Sequence, residues 1–359
     1  MTTANQPVAL PKTHTRKRIE GHPADSSWLD RLSVFTSAAF IIGLFVDGWA
    51  HNTIPELETF FTPWHAVLYG GFFSVAILMA VTQYRSVGKG YAWAKAMPRG
   101  YTLSLVGVVL FFIGAGGDML WHETFGIEQD LEALFSPTHL LLATGAFLFI
   151  TGPLRAAWQR VGLRGWRDLF PAILSTTLVF TLFTFFTQYA NVFANASILT
   201  MPEPYGNSRY FTEVTSVAYI FIPAALMMAA LLLLIRRWQL PFGTATVMFG
   251  INAFLMYLLR IEFNDDYLLV VIGALVGGLF TDVLIARLRP SVTRHNALRL
   301  FTFLAPFVYF LVVLAAIALS NERGLWWEIH TWLGVPFIAG AIGLGLSFLV
   351  VPPPIPAET

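Results

Sequence analysis

Residues 214–237 read VTSVAYIFIPAALMMAALLLLIRR, which is 22 residues without a charge followed by two adjacent arginines. A helix needs about 20 apolar residues to cross the hydrocarbon core of a bilayer. Arg236 and Arg237 are the kind of flank that stays on the cytoplasmic side. Comparable runs recur along the chain, and ten spans are predicted: 31–50, 63–84, 101–121, 137–158, 169–194, 212–235, 241–260, 265–286, 298–319 and 327–351. The seventh is the weakest, because Gly243, Gly250 and Asn252 interrupt it. The runs are far longer than the alternating ten-residue segments of a membrane barrel.

Positive charge tests this count. With the N-terminus cytoplasmic, 19 of the 22 Lys and Arg residues fall in inside segments, and the exceptions are Arg209, Arg260 and Arg323. A wrong number of spans would scramble that alternation. The reading is therefore an all-α, polytopic helical bundle of the inner (plasma) membrane with both termini cytoplasmic. Composition agrees: of 359 residues 56% are hydrophobic, 15% aromatic and 12% charged, with a mean hydropathy of +0.64. A soluble domain carries about 25% charge, so ordinary soluble enzymes and disordered proteins are excluded. The basic residues are dispersed among short loops, which argues against a nucleic-acid partner. No cysteine is present, which removes disulfides, thiolate metal sites, iron–sulfur clusters and cysteine nucleophiles.

The organisation expected is a polar cytoplasmic tail (1–30) without a signal-peptide pattern, a four-helix unit (31–158), six further spans (159–351) and a proline-rich tail (352–359). Under this topology His14, His22 and His295 are cytoplasmic, while His51, His65, His122, His139 and His330 all lie at outer helix ends. Asp47, Asp118, Glu56, Glu58, Glu123, Glu128, Asp130, Glu132 and Glu328 lie at the same level.

Two segments of the four-helix unit repeat one another. GLFVDGWAH (43–51) leads to ELETFFTPWHAVLYGGFF (56–73), and GAGGDMLWH (114–122) leads to DLEALFSPTHLLLATGAF (130–147). Asp47 and Asp118 each precede a histidine by four positions, giving His51 and His122. Glu58 and Glu132 each sit seven residues before a second histidine, His65 and His139, and Gly71 and Gly145 follow it by six. Both copies run inside–outside–inside, so a duplicated hairpin would be related by an axis along the membrane normal. Asp and His four apart project from one helix face. Thr62-Pro63 and Ser136-Pro137 read as a capping hydroxyl followed by proline at the first helical position. Each hairpin then brings one carboxylate and two imidazoles together, an inventory suited to zinc, copper or iron. Carboxylates inside membrane helices are costly and usually have a specific partner.

The pattern Asp-x3-His followed by a second histidine resembles the copper-binding motif in the C subunit of particulate methane and ammonia monooxygenases, which also lies in membrane helices. The resemblance covers Asp47/His51/His65 and Asp118/His122/His139. The gaps of 13 and 16 residues between histidines are slightly longer than in that motif, and that subunit lacks the duplication. It implies copper ahead of zinc or iron, and a redox or oxygen-dependent enzyme or its subunit. The Asp47 to His51 segment is also similar to uncharacterised bacterial multi-pass membrane families with histidine-rich helix ends.

Plainer roles compete for the same residues. Thr-Pro and Ser-Pro are good helix starts in themselves, a histidine near an interface can snorkel, and Glu58 and Glu132 can be solvated loop acids or partners just outside the ligand set. Glu328 and His330 open the last helix and are candidates for the same supporting role. Gln188, Tyr189, Asn191 and Asn195 are expected near the site, and Glu213 at the start of the sixth span. Arg260, Glu262, Asp265 and Asp266 read as a solvated salt-bridged turn, and Asp282 as a partner of Arg287 or another inner arginine. Gly70-Gly71, Gly116-Gly117 and Gly277-Gly278 read as sites of close helix approach. Competing functions are b-type haem held by histidines of neighbouring helices, and a proton- or solute-coupled transporter. Beyond the lipid bilayer, further membrane subunits or a homo-oligomer are the expected partners.

Overall fold

The computed structural model describes residues 19–54, 61–126, 131–202, 204–264 and 267–353. Among them ten main helices follow in order: α1 (Ser27–Thr53), α2 (Pro63–Gly88), α3 (Thr102–Phe125), α4 (Pro137–Trp158), α5 (Gly165–Phe186), α6 (Asn207–Ile235), α7 (Thr244–Leu258), α8 (Leu268–Leu288), α9 (His295–Ser320) and α10 (Ile329–Val350). Extended pairing among these residues amounts to two isolated bridges, Ile19 with Tyr91 and Ser291 with Arg294. Nine of the helices are long and apolar enough to span a membrane. The chain is a multi-pass membrane protein.

The tenth helix, α7, has 15 residues and is the shorter one. At 1.5 Å per residue it rises only about 22 Å, so the seventh span is not full-length. Its surroundings explain why this is tolerated: Met248, Phe249, Ala253 and Met256 are buried, and α7 packs against α5 and α8 inside the bundle. Asp282 serves it, which corrects the expected pairing with an arginine. The Asp282 carboxylate accepts from the backbone N–H groups of Ala245 (3.0 Å) and Thr246 (2.9 Å) and from Thr246 Oγ1 (2.6 Å). Those amides belong to the first turn of α7, where the helix itself offers no acceptor. Gly278, one turn before Asp282, lets α8 come this close, since a Cβ there would lie 2.8 Å from Thr246 Cα.

Burial separates centre from periphery. Helix α5 is mostly buried, whereas most of α3 is not. The outward sides of α3 and its neighbours show Phe112, Ile113 and Leu120, as expected for side chains facing lipid. Helices α1 and α2 form one antiparallel hairpin and α3 and α4 another, with α5 packed on both α1 and α4. Helices α6 to α10 complete the bundle, α8 pairing with α9 and α9 with α10.

The helix breaks are local and explicable. In α4 the helix is interrupted around Thr151, which keeps its bond to Phe147 O (3.2 Å), because Pro153 two residues on has no N–H to give the carbonyl four residues back. Arg155 fills the break, donating to Leu148 O (2.8 Å), Gly100 O (2.8 Å) and Ser104 Oγ (2.9 Å). On the same side of the bundle Asp30, 2% exposed, accepts from Tyr101 Oη at 2.7 Å and pairs with Arg160. Two of the basic residues that set the topology thus also fasten helix ends together.

Candidate metal centre

The expected helix starts are present. Thr62 Oγ1 accepts the backbone N–H of His65 (3.1 Å) and Ser136 Oγ that of His139 (3.3 Å), with Pro63 and Pro137 opening the helices. Such capping fixes the entry of the chain and sets each histidine in the first turn. Asp47 and His51 occupy the last turns of α1, and Asp118 and His122 those of α3. The two arms of each hairpin therefore deliver their side chains to one level.

Matched positions make matched helix contacts. A Cβ at Gly43 would lie 2.7 Å from Leu68 Cα, and one at Gly71 would lie 2.5 Å from Phe40 Cα. In the second hairpin a Cβ at Gly114 would meet Leu142, and one at Gly145 would lie 2.7 Å from the Phe111 nitrogen. The glycines bring the helices close enough for an Asp on one to reach a His on the other. Not every glycine of the Gly-Gly pairs acts this way: a Cβ at Gly70 or Gly116 would meet nothing within 4 Å.

All six side chains gather in two sets. Asp47 Oδ1 is 3.5 Å from His65 Nε2, and its Oδ2 is 3.9 Å from His51 Nε2. Asp118 Oδ1 is 3.3 Å from His139 Nε2, and its Oδ2 is 3.5 Å from His122 Nε2. The ring centroids of the histidines are 5.7 Å apart in the first set and 5.8 Å in the second. Within each set one ligand atom per residue lies within 4.8 Å of the others. Asp47, His65, Asp118 and His122 are buried.

Both sets meet one cavity of about 360 Å³, lined by five of the six residues, with His122 the exception. Its floor is aromatic: Phe40 and Phe111 are edge-on at 5.3 Å, and Phe111 stacks on Phe72 at 4.3 Å. Leu142, Leu182 and Phe185 supply apolar wall, and Tyr69 stands one turn below His65, ring to ring at 6.2 Å.

The polar rim comes from the chain after α5. Residues 187–200 turn inward through two short 3-10 turns, tied to α6 by the Val192 N–H on Tyr219 O (3.1 Å). Gln188, Tyr189 and Asn195 reach the cavity as expected, whereas Asn191 is spent on its own turn, accepting from Phe193 N at 3.0 Å. Asn52 Nδ2 donates to Gln188 Oε1 (3.0 Å), and Arg260 donates to Asn195 Oδ1 (3.1 Å) while lining the cavity. The reading of Arg260 as part of a solvated turn is corrected accordingly. Its neighbour Glu262 accepts from Trp49 Nε1 (2.8 Å) and Thr53 Oγ1 (3.1 Å), clamping the end of α1. Asp265 and Asp266 lie outside the described residues.

The expected supporting residues fare differently. Glu328 is exposed and faces Arg209 at 3.6 Å, and His330 lines a separate shallow groove between α6 and α10. In that groove Glu213 accepts from Thr331 at 2.7 Å. Packing α10 against α6 and α9 carries its outer end away from the first four helices, so neither Glu328 nor His330 joins the site. Glu58, Glu56, Glu128 and Asp130 lie outside the described residues. Glu132 opens a single helical turn, Glu132–Phe135, and its side chain is not described.

Sequence reasoning misses Thr138, which belongs to the site and donates from Oγ1 to Asp118 Oδ1 at 2.9 Å. A hydroxyl one residue before the second histidine is its only signal, and Trp64 at the corresponding place in the first hairpin hides it. No family model, curated protein or solved structure matches this chain.

Proposed function

We propose that this chain is an integral membrane metalloprotein, with copper the first candidate and zinc or iron the alternatives. Its ligands are Asp47, His51 and His65, and Asp118, His122 and His139. One observation carries the reading: two sets of one carboxylate and two imidazoles, each delivered by a capped helical hairpin, face a single cavity. Spacing supports it. Ligands on a tetrahedral ion with bonds of about 2.0–2.1 Å stand about 3.4 Å apart along each edge. Three of the four Asp–His separations are 3.3–3.5 Å, the two histidines of each set facing different oxygens of the one carboxylate.

Three protein ligands leave a coordination position open, the arrangement of catalytic rather than closed structural sites. A bound copper or iron would supply electron transfer or oxygen chemistry, and zinc a Lewis acid. Around it the chain's own residues supply apolar walls and a polar rim in which Asn52, Gln188 and Asn195 are bonded to one another and to Arg260. A redox or oxygen-dependent enzyme, or a subunit of one, is the activity this favours. The matched glycine contacts support descent of the two hairpins from one duplicated unit. Haem fits less well, since a carboxylate within 3.9 Å of each histidine leaves a macrocycle little room. The aromatic floor likewise weighs against a transport path through these helices.

The test is elemental analysis with electron paramagnetic resonance on the purified full chain and on a His65→Ala/His139→Ala double variant. Stoichiometric metal in the parent and its loss in the variant are expected, with a Cu(II) signal if the ion is copper. Equal trace metal in both proteins would reject the reading, and a Soret band would replace it with haem.

A further inference from the structure

The two sets share ligand types and spacing but not surroundings. Around Asp118 the polar contacts run in a chain. Thr138 Oγ1 donates to Asp118 Oδ1 (2.9 Å), and Ser136 Oγ lies 3.1 Å from Thr138 Oγ1. Ser136 Oγ also accepts the His139 backbone N–H (3.3 Å) and lies 2.8 Å from His139 Nδ1. The His139 ring is thereby held at Nδ1 with Nε2 turned toward Asp118. His122 is held the same way, its Nδ1 3.3 Å from Gly126 O and its Nε2 toward Asp118. Both rings are thus oriented for a ligand role by groups behind them.

Among the described residues the first hairpin has no counterpart of the Thr138 hydroxyl. Trp64 takes the place of Thr138, and its indole packs edge-on against Trp49 at 5.4 Å. It offers Asp47 no hydroxyl. The Asp47–His51 separation is the longest of the four at 3.9 Å, and the His51 side chain is 23% exposed against 4% for His122.

We infer that these are two metal sites of unequal affinity. Asp118/His122/His139 fills first and retains its ion, while Asp47/His51/His65 fills second and exchanges. The ligand class is a divalent first-row transition ion, and the inference rests on the metal reading above. The physical reason is preorganisation: ligands already oriented by hydrogen bonds lose less freedom on binding. Loss of such a supporting partner typically weakens metal binding by about 10- to 100-fold.

The experiment is a titration of the chelator-treated full-length protein in detergent with Co²⁺, followed by visible absorption and repeated with Cu²⁺. Two steps separated by about 10- to 100-fold in Kd are expected. His139→Ala should remove the tight step and leave the weak one, and His65→Ala should do the reverse. Thr138→Val should weaken the tight step by about tenfold or more, whereas Thr138→Ser, which keeps the hydroxyl, should preserve it. Two steps of equal affinity would overturn the inference, as would a tight step indifferent to Thr138→Val. A single ion lost from either histidine variant alone would overturn it too, replacing two sites with one shared centre. Absence of binding of either ion would instead defeat the metal reading itself.

Discussion

His330 and Glu328 show how little residue type and membrane level say by themselves. Both have the chemistry and depth of the site residues, yet one lines a separate groove and the other faces Arg209. What distinguishes Asp47 and Asp118 is a partner four residues on and a second partner brought back by a capped return helix. The expectation at this scale is that Glu328→Gln and His330→Ala leave metal content unchanged, whereas Asp118→Asn lowers it. Parallel elemental analysis of the three purified variants checks this. Loss of metal from the Glu328 or His330 variant would mean that α10 contributes to the centre.

The hairpin is the element that matters, and glycine is what permits it. Gly71 and Gly145 sit where any Cβ would come within 2.5 Å of the Phe40 backbone or 2.7 Å of that of Phe111. An alanine at either place must push the helices apart, and overpacking of this kind costs about 1–3 kcal/mol. Gly70→Ala, with open space around it, should be neutral by comparison. Thermal unfolding midpoints in one detergent are expected to fall for Gly71→Ala and Gly145→Ala and to stay put for Gly70→Ala. Separation of the helices should also pull histidine from aspartate, so metal affinity is expected to drop along with stability. A destabilised protein with full metal affinity would show that the ligand sets do not depend on the close helix approach.

For the whole molecule, ten helices alternate in direction, so that basic connections gather at one end and both Asp/His/His sets at the other. The shortness of α7 is the point at which that alternation is most exposed to challenge, since a helix rising only about 22 Å must still carry the chain between faces. The absence of native cysteine makes the topology directly measurable. Single cysteines replacing Ser208, exposed at the start of α6, and Thr293, exposed between α8 and α9, should lie on opposite sides. A membrane-impermeant maleimide applied to intact cells is expected to label the first and to reach the second only after permeabilisation. Labelling of both before permeabilisation would mean that the chain crosses an even number of times between them.

Much of the fold was legible in the chain because its signals are local. Apolar run length, charge at the flanks, Thr62-Pro63 and Ser136-Pro137, and the four-residue spacing of Asp47/His51 and Asp118/His122 all act within a turn or two of helix, where backbone geometry is fixed. They were enough to place six side chains at one depth. Which helices then stand side by side is a matter of packing between distant segments, and no local pattern encodes it. Tertiary structure alone turned Arg260 toward the cavity, took His330 away from it, set Asp282 against the first turn of α7 and joined Thr138 to Asp118. It also made one chamber of two hairpins, because Phe40 of the first and Phe111 of the second meet there edge to face.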